Sequence, residues 1–443
     1  MTCSDFLKTL NARGMFRIHP SLDRISRVLN ELGNPQESWP SVHVAGTNGK
    51  GSVAKGLESV LRAGGYRTGL YTSPHLVDLR ERIQVNGKPV IQDFLKIAQD
   101  VMKAEKKART PLTHFELLTA MSFLTFARQK VDIAIVECGL GGLWDATNVL
   151  AHPMASIITS IGLDHMEWLG KNERAIAAQK AGIIKAHGYV ISGVRGSGQE
   201  AIIRRAREKD ATLIQLDQDF TSEGLTTSWR TGIQTLRFQF QRESPEIVPF
   251  GLLGSHQIDN AALILAGLRH LRQAGWVVPT PRRDQAMQDI QWPGRLQILH
   301  RKNVATLLLD GAHNPHALKK VLQSIESSIF RNSRKTFVFS AFKDKEYRTM
   351  ARMILPMAAD IYLCPLPGPR GASLAQLHAA LAGVRVPVRK LSSAGQALAQ
   401  ALQGTPRDGL IIVTGSLSLV GESLKVLGRK NVLSPPEREL VHA

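Results

Sequence analysis

The stretch His43–Leu57, HVAGTNGKGSVAKGL, sets three glycines (Gly46, Gly49, Gly51) around one lysine, Lys50, with a hydroxyl two residues on at Ser52. Glycines let backbone N–H groups approach phosphate oxygens, and a following helix N-terminus adds partial positive charge. Lys50 can neutralise the outer phosphates, and the Ser52 hydroxyl can reach a Mg2+ ion. The spelling departs from the usual G-x-x-x-x-G-K-[ST] phosphate loop. Val44 stands where the first glycine would be, and Gly51 separates Lys50 from Ser52. By spelling alone the stretch is either a phosphate cradle or an ordinary glycine-rich turn. Its flanks favour the cradle. SVHVA (Ser41–Ala45) precedes it as a strand, and Val53, Leu57, Val60 and Leu61 follow at the spacing of one helix face.

Such a turn needs elements to hold it. RTGLYTS reads as a strand, and FELLTAMSFLTFAR (Phe115–Arg128), apolar nearly all round, as a buried helix. VDIAIVE (Val131–Glu137) and MASIITSI (Met154–Ile161) are β-branched runs suited to central parallel strands. Strand–helix alternation implies a doubly wound α/β layer. From about Ala211 to Phe250 the pattern changes: TLIQL, TTSWRTGIQTLRFQFQR and EIVPFGLLG read as successive strands of a small antiparallel sheet. A helix returns at HQIDNAALILAGLRHL (His256–Leu271). The Pro-rich, charged segment Val277–Arg295 closes the first unit, with a hinge near Pro293–Gln297. A second α/β series then begins with ATLLLDGAH and ends with GLIIVTGS and a helix; it carries no phosphate loop of its own. The expected division is a first unit at 1–295, a second at 296–433 and a tail at 434–443.

The whole chain is consistent with this. It has 443 residues, more than one core usually spans, and 43% are hydrophobic. Lys and Arg outnumber Asp and Glu by 56 to 37, a balance of +19 that favours acidic partners. The basic residues are scattered in short clusters (Lys103–Arg109, Arg204–Lys209, Arg331–Lys335), and aromatics are only 6%. They read as solvated helix faces, and no nucleic-acid module is recognisable. Three distant cysteines, Cys3, Cys138 and Cys364, argue against a disulfide framework or a structural zinc site. The N-terminus lacks an apolar signal segment, and no run approaches the roughly 20 apolar residues that span a bilayer. A reduced, cytoplasmic setting is expected.

The spelling GTNGKGS resembles the variant loop of the folylpolyglutamate synthase/dihydrofolate synthase family of the Mur ligase superfamily. Eight further stretches are similar to that family in order: YTSPHLVDLRERIQVNG, VECGLGGLWDATNV, SIGLDHMEWLG, IAAQKAGIIK, GSHQIDNAALIL, WPGR, DGAHNPH and TGSLSLVGE. The matches run from about Ser41 to Glu422. The resemblance implies a P-loop ATPase-type parallel-sheet domain with a small antiparallel sheet, followed by a Rossmann-like α/β domain. It also implies the reaction: ATP phosphorylates a carboxylate, and the amine of L-glutamate attacks the resulting acyl phosphate. Dihydropteroate or a reduced folate is the implied acceptor, with both activities of the bacterial bifunctional type. A site that gathers so much negative charge needs metal ions, lysines and arginines.

By the same resemblance, Gly46, Thr47, Asn48, Gly49, Lys50, Gly51 and Ser52 wrap the ATP phosphates. Ser52, Ser73, Glu137 and His165 are implied Mg2+ ligands, with Lys180 as a carbamylated lysine offering two anionic oxygens. Read without the family, Lys180 is a surface helix lysine and Ser73 a turn residue. Asn260 is implied at the adenine edge, Arg295 and Asp310 at ATP across the hinge, and Arg82, His313 and Ser416 at the acceptor and glutamate. Three places depart from the family pattern. Leu143-Trp144 replaces Arg-Leu, Ser418 replaces an aromatic, and Gln179 replaces an acid beside Lys180. A monomer without nucleic-acid or membrane partners is expected. The alternative is a Mur-type amino-acid ligase with a non-folate acceptor.

Overall fold

The computed structural model describes residues 2–14 and 20–428. The expected tail at 434–443, and the end of the second unit from 429, lie outside the described residues.

Eight strands form the first sheet: β1 (Ser41–Ala45), β2 (Thr68–Tyr71), β3 (Ile83–Val85), β4 (Lys88–Pro89), β5 (Ile133–Glu137), β6 (Ala155–Ile158), β7 (Tyr189–Ser192) and β8 (Thr212–Gln215). Their order is β4-β3-β2-β5-β1-β6-β7-β8, and from β2 to β8 every pairing is parallel. Burial on both faces explains the β-branched composition: all residues of β1 and β5 are buried. One face packs against the helices Lys50–Ala63 and Ser255–Gln273, and the other against Phe94–Lys107 and His114–Arg128. The latter helix is buried nearly all round, as its composition predicts. It starts at a reciprocal cap, in which the Thr113 hydroxyl accepts the Glu116 N–H and the Glu116 carboxylate accepts that of Thr113.

β9 (Phe220–Ser228), β10 (Ile233–Phe240) and β11 (Glu246–Phe250) form the antiparallel sheet. One expectation is corrected here: TLIQL is not part of it. Its residues form β8 and extend the parallel sheet, with Ile214 opposite Ile191 of β7. The helix Gln199–Glu208 supplies the crossover that a parallel pairing requires. The segment after Val277 also contains a helix, Thr280–Gln288, with its proline in the first turn, where no intrahelical N–H is lost.

The second unit has β12 (Gln297–Leu299), β13 (Thr306–Leu309), β14 (Lys335–Phe339), β15 (Asp360–Leu363), β16 (Val388–Lys390) and β17 (Leu410–Thr414). The order is β12-β13-β17-β14-β15-β16, parallel except for β12 against β13. Apolar clusters cover both faces. In parallel α/β sheets, ligands gather beyond the carboxyl ends of the strands. In the first sheet those ends carry the turn at 46–50, Glu137 and the loop at 159–165. Among the described residues no helix is long and apolar enough to cross a membrane.

Candidate active site

The glycine turn leaves β1 and is tied to the end of β6. Thr47 N–H donates to Ser160 O at 2.7 Å, and its hydroxyl donates to Gly162 O at 3.1 Å. Thr159 Oγ1 donates to Asn48 O at 2.6 Å. Two glycines are required by geometry. A Cβ on Gly46 would lie 1.9 Å from Thr159 Oγ1; one on Gly49, at φ +88°, would lie 2.4 Å from Asn260 Oδ1. Gly49 starts the helix Lys50–Ala63 without any side-chain cap, so the first-turn N–H groups face out of the turn.

Two lysines meet on one carbonyl of this turn. Lys50 Nζ donates to Gly46 O at 3.1 Å and to Thr47 O at 3.3 Å, and Lys180 Nζ donates to Gly46 O at 2.8 Å. Lys180 is buried, contrary to its reading as a surface helix lysine, because its helix ends against the turn. Burial, and then the neighbouring Lys50 charge, push its ammonium down to about 7. Glu137, buried at the end of β5, accepts the Ser73 N–H at 3.1 Å. Burial pushes its carboxyl up, against the pull of Lys50, the Ser73 hydrogen bond, Arg295 and Arg82. Arg82 is buried and donates to His75 Nδ1 at 3.0 Å. Its loop is folded around Glu81, whose carboxylate accepts the N–H groups of Leu76, Val77 and Asp78. Gly51, Ser73, His75, Glu137, Trp292 and Arg295 line one cavity, with Leu417 from the second unit.

The other expected residues divide. Ser52 and Asn260 are linked through Gln257, which receives Asn260 Nδ2 at 2.9 Å and donates to Ser52 Oγ at 3.3 Å. Asn260 thus lies directly against the turn at Gly49. Asp310, buried after β13, accepts the N–H groups of Leu296 and Ala312, both at 2.8 Å, which fixes the hinge beside Arg295. Burial pushes its carboxyl up, opposed by Arg295. Ser416 is fully buried and caps the helix Leu417–Val426 by accepting the Leu419 N–H at 3.0 Å. His165 sits across the turn from Glu137's strand, and its Nε2 meets Lys345 Nζ of the second unit at 3.2 Å. Burial pushes it down to about 4.

Among the described residues no three His, Cys, Asp or Glu side chains cluster as a metal site. The donors present at Glu137 are a buried carboxylate with its upward-shifted pKa, and the serine segment at Ser73. Oxygen donors of this kind fit a hard divalent cation. Lys180 fits one only in a form without its positive charge.

Residues 44–267 match the Mur ligase middle domain, and residues 294–417 match the Mur ligase, glutamate ligase domain. The dihydrofolate synthase/folylpolyglutamate synthase of Bacillus subtilis is 35% identical over 83% of this chain and 86% of its own. The Escherichia coli protein of the same name is 31% identical over 95% and 94%. The solved structure of E. coli FolC in complex with DHPP and ADP superposes with a TM-score of 0.86 at 30% identity, over 96% of this chain and 97% of the other. Mycobacterium tuberculosis folylpolyglutamate synthase complexed with ADP gives 0.86 at 30%, over 98% and 99%.

The chain belongs to the folylpolyglutamate synthase/dihydrofolate synthase family of Mur ligases.

Two of its departures from the family pattern meet beside Lys180. Leu143 N–H donates to Gln179 O at 2.8 Å, so the replaced pair and the replaced acid lie in one contact. Trp144 is half exposed. Two residues that sequence reasoning did not single out, Asp164 and Lys345, tie the loop after β6 to the second unit. Asp164, next to His165, binds Lys345 Nζ at 2.6 Å and Asn314 Nδ2 at 3.2 Å, and His313 Nε2 lies 3.5 Å away. Burial opposes the Asp164 charge, but the His313 hydrogen bond and Lys345 hold its carboxyl far below the usual carboxylate range. The only available signal was an acid beside an expected ligand, and a charged D-K-E triplet just beyond the strand KTFVFSA.

Proposed function

We propose that this protein is an ATP-dependent ligase that joins the carboxylate of dihydropteroate or a reduced folate to the amine of L-glutamate, serving as both dihydrofolate synthase and folylpolyglutamate synthase. The convergence of Lys50, Lys180 and Glu137 on the Gly46 turn supports the reading best. Lys50 is free to swing from the carbonyls of Gly46 and Thr47 to the outer phosphates. The uncapped N–H groups after Gly49 hold the remaining charge. Arg295 and the buried Arg82 face Glu137 and suit the acceptor carboxylate. Asn260 and Asp310 serve the nucleotide by fixing the turn and the hinge, and His313 and Ser416 serve the glutamate side, Ser416 through the helix it caps. Closure of the second unit shields the acyl phosphate from water.

Glu137, Ser73, Ser52 and His165 would hold Mg2+, which supplies charge neutralisation on the transferring phosphoryl group. A Lys180 pushed down to about 7 is half neutral near that pH and largely neutral above it. A neutral amine is the form that takes up CO2, so Lys180 carbamylation belongs to this reading. The units divide at 295/296, the protein acts as a monomer, and its three free cysteines suit a reducing cytoplasm.

The test is phosphate release by purified protein with ATP, Mg2+ and L-glutamate. Release that rises only when dihydropteroate or tetrahydrofolate is added supports the assignment. Release that ignores both, and answers to another carboxylate acceptor, transfers the protein to the alternative Mur-type reading.

A further inference from the structure

Trp229, Leu253 and Leu76 of the first unit pack against the second, and beside this apolar contact one carboxylate gathers several polar contacts between the units. Asp164 Oδ1 accepts Lys345 Nζ at 2.6 Å and the His165 N–H at 2.9 Å. Asp164 Oδ2 accepts Asn314 Nδ2 at 3.2 Å, and His313 Nε2 approaches it at 3.5 Å. Three of these four groups belong to the second unit. The Asp164 and Lys345 side chains are each only 9% exposed, so neither charge has much water to fall back on. Removing one partner of such a pair strands the other charge.

Lys345 is also fixed from behind. The Lys343 N–H donates to Arg370 O at 2.9 Å, and the Asp344 carboxylate pairs with the Arg370 guanidinium at 2.6 Å. Tyr347 N–H returns to Lys345 O at 2.7 Å. The ammonium is therefore delivered to the first unit by a rigid segment. Once there it touches Asp164 and the His165 ring together, at 2.6 and 3.2 Å.

We infer that Lys345 is a positioning residue that latches the second unit onto the loop after β6, so that approach of the two units and placement of the His165 ring are a single event. The latch itself stands on the geometry; its kinetic consequence rests on the ligase reading.

Small-angle scattering and steady-state kinetics on the full chain test it, using K345M, K345R, D164N and the double variant D164N/K345M. A compact chain of this length has a radius of gyration of about 22 Å. K345M is expected to expand beyond the wild-type value, and K345R to return to it. Its kcat/KM for glutamate should fall on the order of 100-fold, the loss typical of breaking a buried ion pair, mainly through KM. K345R should recover most of it. The double variant should be no worse than the poorer single variant. Wild-type scattering and kinetics in K345M, or additive losses in the double variant, would overturn the latch. The scattering arm needs no turnover, so a wild-type protein inactive as a ligase would count against the proposed activity while leaving the latch to be decided by expansion.

Discussion

Two strand–turn–helix corners face each other across the site, and they solve the same problem in opposite ways. After β1, the turn Gly46–Gly49 opens a helix with no side-chain cap, and its carbonyl at Gly46 accepts from two lysines. After β13, the turn Asp310–Asn314 uses its own side chains. Asp310 accepts the N–H groups of Leu296 and Ala312, and Asn314 caps the helix Pro315–Glu326 through the Ala317 N–H at 2.8 Å. A corner that satisfies its own donors becomes a strut. A corner that leaves them open, and brings up cations, is built for an anion from outside. The comparison predicts where substitutions hurt chemistry and where they hurt only folding.

The largest effect belongs to Lys50. K50M should reduce ATP-dependent phosphate release on the order of 1000-fold, as loss of a charge-stabilising group at a transferring phosphoryl does. Circular dichroism should stay unchanged, because Lys50 donates only to carbonyls of its own turn. Activity within tenfold of wild type would erase the distinction between the two corners.

Next come the glycines. G49A forces a side chain into φ +88° and to 2.4 Å from Asn260 Oδ1, whereas G275A meets a similar φ of +93° with nothing within 4 Å. Both should lose about 1 kcal/mol of stability from the left-handed backbone alone. Calorimetry with ATP should separate them: at least tenfold weaker binding for G49A, since Asn260 must move, and none of that loss for G275A. Equal affinities would mean that the close approach at the turn has no bearing on nucleotide.

These contrasts follow how the molecule was legible. The turn, β1, β5, β6 and the buried helix His114–Arg128 are each encoded by neighbouring residues, through glycine spacing, β-branched runs and all-round apolarity. TLIQ is strand-like in either sheet, and only the helix before it sends β8 to the parallel one. The helix Thr280–Gln288 was hidden by a proline that its first turn tolerates. Burial of Lys180 and the Asp164–Lys345 pair depend on contacts 134 and 181 residues apart, which no local pattern carries. Chemistry written by one segment could be read; chemistry made by two units meeting could not.

A smaller effect, with a defined sign in pH, belongs to Lys180. Its folded value of about 7 lies below the ordinary 10.5. The unfolded chain therefore binds more protons between these values, so burying Lys180 destabilises fully below about pH 7 and progressively less as pH rises to 10.5. In metal-free, CO2-free buffer, K180M should be more stable than wild type at pH 6, and the gap should close towards pH 10. A gap independent of pH would place a charged lysine at Gly46 O and remove the neutral amine that carbamylation needs.

The smallest effect concerns the other kind of corner. Ser416 is fully buried, and its hydroxyl oxygen is committed to the Leu419 N–H at 3.0 Å, so it resembles Asn314 and not Lys50. S416A should therefore lose about 1 kcal/mol, the usual loss of a cap, with S416T keeping most of it. Glutamate KM should rise only severalfold in S416A, because the helix start at Leu417 lines the cavity beside Arg295. S416T should restore KM and stability together, since one hydrogen bond underlies both. If S416T recovers stability while KM stays raised, the Ser416 side chain meets glutamate directly. The second corner would then be a binding surface in its own right, and the division between strut and cradle would fail at that residue.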